Sequence, residues 1–129
     1  MPLKITKNYS LNFNPKKRSK KNIKFVIFHY TGMKTQKAAI NRLTNIQSQV
    51  AAHYLVKKNG EIINIVPDLY IAWHAGVSSW NKENSLNKSS LGIEITNPGH
   101  QFGYEKFSKK QVISLIKLSK ILKKKYKIN

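Results

Sequence analysis

The stretch Phe25-Val26-Ile27-Phe28-His29-Tyr30-Thr31-Gly32 decides the architecture of this chain. Four consecutive apolar residues, each aromatic or β-branched, predict a buried strand, central in its sheet, and Gly32 ends it. The strand delivers one imidazole, His29, near its end. An imidazole there is either a packed core residue or a group held rigidly for chemistry, and the strand alone leaves both readings open.

The segments on either side predict what the strand packs with. Residues 1–24 read as an irregular basic arm, with Lys16-Lys17-Arg18-Ser19-Lys20-Lys21 at its centre. Tyr9, Leu11 and Phe13 alternate and are expected to pin that arm onto a domain running over 25–129. Thr35 suits the cap of a helix through Leu43, with Ala39, Ile40 and Leu43 on one face. Asn59-Gly60 between two apolar runs predicts a hairpin over 53–66, closed by a type I′ turn. Residues 67–90 read mostly as loop and hold both tryptophans, Trp73 and Trp80. Leu91-Gly92-Ile93-Glu94-Ile95-Thr96 is a further strand, stopped by Asn97-Pro98-Gly99. Ser108 and Gln111 form a capping box for a last helix whose face is Val112, Leu115, Ile116, Ser119 and Leu122. This order of elements predicts an α/β fold, a mixed central β-sheet flanked by helices.

Composition limits the function classes. The 129 residues suffice for one domain with one core. No cysteine is present, which excludes a disulfide framework and thiolate metal sites. No apolar run approaches the ~20 residues of a membrane span, so no stable membrane insertion is expected. Met1–Lys7 lacks the apolar core of a signal peptide, and a cytoplasmic location is expected. The net charge of +19 comes from 24 Lys+Arg against 5 Asp+Glu, and only Arg18 and Arg42 are arginine. That excess is either a solvated surface or an attraction to a polyanion. The scarcity of arginine and the lack of a recognition-helix pattern argue against nucleic acid as partner.

Glu94 is the sharpest of the chemistry-bearing residues. It sits between Ile93 and Ile95, so alternation turns its carboxylate to the opposite face. That face is either solvent or a site in which burial brings the carboxylate into general-base range. His53, His74 and His100 show no close ligand pair of the HxH or HExxH kind.

Together the segments resemble the zinc-dependent N-acetylmuramoyl-L-alanine amidases of the AmpD/AmiD type, relatives of phage lysozyme-type amidases and peptidoglycan-recognition proteins. The resemblance rests on Ser10–Asn14, Phe25–Met33, Ala52–Val56, Ala72–Gly76 and Ser90–Asn97, in that order. It implies hydrolysis of the amide joining N-acetylmuramic acid to L-alanine in peptidoglycan or muropeptides, with Zn2+ as cofactor. By the same resemblance His29 is the first metal ligand and Glu94 the base that activates water. Trp73, His74 and Asn97 fall in segments that border the substrate. The family's other ligands belong to a C-terminal segment with no counterpart here, so 25–129 is expected to be a C-terminally truncated domain. His29, His74 and Glu94 are the set from which a substitute metal site could be drawn.

Overall fold

Period-two alternation in two strands creates the two faces on which everything else is arranged. The computed structural model describes residues 3–75, 79–80 and 83–129; Met1, Pro2, Gly76 and the side chain of Trp80 lie outside them. In chain order the elements are β1 (Ile5–Lys7), β2 (Phe13–Asn14), β3 (Phe25–Tyr30), α1 (Gln36–Thr44), β4 (Tyr54–Val56), β5 (Ile62–Asn64), β6 (Ile71–Ala72), β7 (Ser79–Trp80), β8 (Glu83–Asn84), α2 (Leu86–Ser89), β9 (Ser90–Ile95) and α3 (Lys109–Tyr126). Five strands form one mixed sheet in the order β1-β5-β4-β9-β3, and β2–β6 and β7–β8 are short antiparallel pairs. This is the expected mixed sheet with flanking helices.

The parallel register of β3 on β9 sets Val26, Phe28 and Tyr30 beside Leu91, Ile93 and Ile95. That face packs with Tyr54, Val56 and Ile62 against Leu118, Leu122 and Tyr126 of α3. The opposite face carries Ile27 and His29 beside Gly92 and Glu94, with Leu55 next across the sheet. There the core is Leu43, Ala51, Ala52, Leu55 and Ile63.

Four expectations are corrected. The strand of the opening stretch is not central: β3 is an edge of the five-stranded sheet, and Phe28 and Tyr30 are half-exposed. The arm is not irregular either. Ile5–Lys7 pairs in parallel with Ile62–Asn64 as the far edge of the same sheet. Of the three expected apolar pins only Phe13 packs on the core, against Tyr70, while Tyr9 and Leu11 are exposed; the rest of the anchoring is polar, with Ser10, Asn12 and Arg18 buried. The Asn12 amide donates to the carbonyls of Asn45 and Val50, both at 2.8 Å. Asn12→Ala is therefore expected to remove both hydrogen bonds of a fully buried side chain and cost about 1–3 kcal/mol, read as a lower urea midpoint.

The hairpin forms as expected, but its turn is different. Gly60 donates back to the Lys57 carbonyl, and Lys57 in turn donates to Glu61. Gly60 has φ +87° while Asn59 stays at negative φ. That is a type I turn followed by a left-handed glycine bulge, not a type I′ turn. The α3 face is also rotated. Its buried residues are Gln111, Leu118, Leu122 and Tyr126, while Val112 and Ile116 are exposed. The capping box is present, but the Gln111 amide also donates to the Thr96 carbonyl at 2.8 Å. A polar anchor thus fixes the helix rotation that apolar periodicity had assigned to Val112 and Ile116.

Candidate functional site

Strand alternation puts Ser90, Gly92 and Glu94 on one face of β9, and register puts His29 beside Glu94 on β3. The segment after β6 returns over this face and lays His74 across Gly92. A Cβ built on Gly92 would lie 2.4 Å from His74 Cγ, so only glycine leaves room for the ring. His74 Nδ1 is 3.1 Å from His29 Nε2, and His74 Nε2 is 3.0 Å from Ser90 Oγ. The Asn87 side-chain carbonyl accepts from the backbone N–H of both His74 and Ala75, which fixes the loop. His74 thus makes contacts within the fold through both ring nitrogens. Burial, reinforced by the neighbouring His53 and His29, lowers its pKa to about 3, so the ring is neutral. Burial also lowers the pKa of His29.

Glu94 is the titratable group with unmet demand among the described residues. Its Oε2 is buried and has no hydrogen-bond partner. Burial raises its pKa to about 7, and Arg42 opposes that rise. A cavity of about 10 Å3, the room of a single water, opens beside it among Thr31, Met33, Ala39 and Arg42. A carboxylate that titrates near neutrality and has a free buried oxygen can take a proton from water. Larger clefts lie elsewhere. One of about 800 Å3 sits on the α3 face between Val26, Phe28 and Lys123, away from Glu94.

The remaining sequence-predicted residues divide. Trp73 is exposed at 38% and borders the same loop, free to meet a ligand. Asn97 is 2% exposed, so it does not face a groove. Its amide donates to the Glu105 carbonyl, its side-chain carbonyl accepts from Gly99 N–H, and its backbone N–H donates to Thr31 Oγ1. It organises the turn after β9. His53 is fully buried; its Nδ1 accepts from Gly92 N–H and its Nε2 lies 2.8 Å from the Tyr70 carbonyl.

Sequence reasoning missed Arg18 and Ser90. Arg18 looked like one member of a solvated basic run. Its guanidinium is instead buried, donating to the carbonyls of Asp68, Asn87 and Lys88. It thereby holds the segment whose Asn87 braces His74. Ser90 was legible: it has the same parity as Glu94, four residues earlier on the strand.

The donor set does not build a zinc centre. Among the described residues no group of three or more His, Cys, Asp or Glu side chains could hold a metal ion. The substitute set fails for a specific reason, since His74 spends one nitrogen on His29 and the other on Ser90. Of these two rings, only His29 keeps a nitrogen, Nδ1, with no hydrogen-bond partner among the described residues.

A family profile described as N-acetylmuramoyl-L-alanine amidase matches residues 19–129. The N-acetylmuramoyl-L-alanine amidase AmiD of Escherichia coli is 36% identical over 118 residues, covering 82% of this chain and 42% of that protein. The chain thus spans less than half the length of this curated relative. The solved structure of E. coli AmiD with anhydro-N-acetylmuramic acid-L-Ala-D-γ-Glu-L-Lys superposes with a TM-score of 0.74 at 34% identity, over 84% of this chain and 46% of that one. The crystal structure of AmpDh3 from Pseudomonas aeruginosa superposes with a TM-score of 0.75 at 28% identity, over 87% of this chain and 48% of that one.

Proposed function

Because this chain belongs to the N-acetylmuramoyl-L-alanine amidase family, we propose that it acts on the amide between N-acetylmuramic acid and L-alanine in peptidoglycan fragments. The observation that carries the proposal is Glu94: a buried carboxylate with an unpartnered oxygen and a pKa near 7 is poised to deprotonate water at neutral pH. The substrate of AmiD, an anhydromuramyl peptide, supplies the ligand class. Trp73 offers an exposed aromatic face at the rim of the site, suited to a sugar–peptide chain.

Zinc enters the proposal only through His29. Its Nδ1 would be one donor, and a complete centre needs donors beyond the described residues. The 129-residue chain by itself is expected to hold clearly less than one zinc per molecule after gel filtration, read by atomic absorption. Stoichiometric zinc would show that the donor set is larger than the described one.

The incomplete donor set among the described residues favours a second reading, a module that binds muropeptides without cleaving them. One experiment separates the two. The chain is incubated with anhydro-N-acetylmuramyl-L-Ala-D-γ-Glu-L-Lys, with and without added zinc, and products are read by mass spectrometry. Release of the free tripeptide supports the amidase. Saturable binding of intact substrate without release supports the module. Neither binding nor release at millimolar substrate sinks both.

A further inference from the structure

A second concentration of chemistry lies around the basic arm. A cleft of about 510 Å3 opens there, lined by Lys16, Lys17, Lys88 and the buried Arg18. Another of about 350 Å3, lined by Lys7, Lys17, Lys20 and Lys125, meets the first at Lys17. Neither shares a lining residue with the cavity beside Glu94. Arg18 is 8% exposed, and its guanidinium donates to carbonyl oxygens rather than to a carboxylate. Burial lowers its pKa to about 10, a fall that Asp68 opposes, so the group keeps its charge at neutral pH. Among the described residues lining either cleft, Asp68 is the one acid. Both its oxygens are taken: Tyr54 donates to Oδ1 and Tyr126 to Oδ2, with Lys125 at 3.7 Å. Ser89 lines the first cleft, and its buried hydroxyl has no hydrogen-bond partner among the described residues. An orphaned buried hydroxyl calls for a partner from outside the fold.

We propose that the two clefts form a binding track for a linear polyol phosphate polymer, with phosphate groups seated on either side of Lys17. Lysine meets phosphate as a point charge, and a ligand that fills both clefts must carry more than one such group. The rest of the lining suits the polyol. Asn14, Ser19, Asn22 and Ser89 present amides and hydroxyls in the first cleft, and Ile71 is the one aliphatic side chain there. Such groups exchange hydrogen bonds with the hydroxyls of glycerol or a sugar alcohol. Nucleic acid fits less well, because single strands are held by stacking bases on aromatic rings. The first cleft has no aromatic ring among its described lining residues. In the second, Tyr54 and Tyr126 are tied to Asp68, and Tyr70 packs with Phe13 and with Lys17, whose ammonium lies 5.5 Å from the ring centroid. That leaves Tyr9, a single exposed ring, which is too few for successive bases.

This binding goes beyond the amidase reading and needs no hydrolysis, so its test uses no turnover. Fluorescence anisotropy of tagged poly(glycerol phosphate) gives the Kd of the full chain in dilute and in concentrated salt. Saturable binding is expected in dilute salt, weakening as salt rises. The triple variant Lys16→Gln, Lys17→Gln, Lys88→Gln changes exposed positions only, and its Kd is expected to rise about tenfold or more. The control triple Lys37→Gln, Lys106→Gln, Lys109→Gln removes the same charge from exposed positions that line neither cleft. Its Kd is expected to rise less than about threefold. Circular dichroism checks that both triples are folded. An equal loss in the two triples overturns the proposal, since net charge alone would then account for binding. No binding in dilute salt overturns it as well, and so does equally tight binding of single-stranded DNA with the same number of phosphates. Free glycerol 3-phosphate that binds as tightly as the polymer would overturn the two-cleft track. Failure of the amidase reading, with intact substrate returned from every incubation, leaves all of these affinities as expected.

Discussion

Glu94→Gln is expected to lower amide hydrolysis by about 10^2- to 10^4-fold, the range for loss of a general base, while making the protein more stable at pH 8. The two effects share one cause. Burial holds the folded-state pKa of Glu94 near 7, above its ordinary 4.5. Between those values the folded chain keeps a proton that the unfolded chain has released. Stability therefore falls as pH rises from about 4.5 to 7, and the penalty is complete above 7. A gap of that size corresponds to about 3 kcal/mol. Glutamine is uncharged at every pH and escapes the penalty, so its Tm should exceed the wild type's by about 10 °C at pH 8. At pH 4 the two melts should nearly coincide. Hydrolysis that survives the substitution would remove Glu94 from the mechanism. Equal melting temperatures at pH 8 would mean that the carboxylate is not buried as described.

Gly92→Ala is the most damaging small substitution available in β9. The new methyl would stand 2.4 Å from His74 Cγ and 2.6 Å from its Nδ1. Both belong to a ring held at each nitrogen, so neither can yield cheaply. Moving the ring costs overpacking energy and leaves His29 Nε2 and Ser90 Oγ without their partner. The sum is about 3–5 kcal/mol, or a Tm about 10–20 °C lower, followed by circular dichroism. The double variant Gly92→Ala, His74→Ala should be more stable than Gly92→Ala alone, because the clash is gone. Strict additivity of the two changes would show that the methyl and the ring never compete for the same space.

Most of the fold could be read from local signals. Thr35 caps α1 by accepting from Ala38 N–H, and Ser108 with Gln111 opens α3. These signals depend on residues three apart, so sequence spacing carries them. Glu94 was legible for a similar reason: period two fixes its face, although only the packing of α1 above it decides that this face is buried. What could not be read depends on partners distant in the chain. Nothing near Arg18 reveals that its acceptors come from residues 68, 87 and 88. An asparagine at position 12 looks like loop until the carbonyls of Asn45 and Val50 arrive. The expectation for His74 came from a resemblance over Ala72–Gly76, and no local signal shows that its ring lies over Gly92 of a strand distant in sequence. Position in the sheet was equally hidden. An apolar run like that of β3 fits a central strand or a half-covered edge, and composition does not distinguish them.

That open edge also governs how the protein behaves as a solute. An unpaired strand edge is a template for pairing between molecules, and Phe28 and Tyr30 stand beside it at 50% and 53% exposure. The counterweight is the net charge of +19, which makes every copy repel every other. Repulsion of this kind reaches ~10 Å at 0.1 M salt and only ~3 Å at 1 M. The lysines therefore act as a colloidal stabiliser whose strength the ionic medium sets, whatever polyanion the surface meets. Dilute buffer is expected to keep such edges apart and concentrated salt to bring them together, which light scattering across a salt series would read.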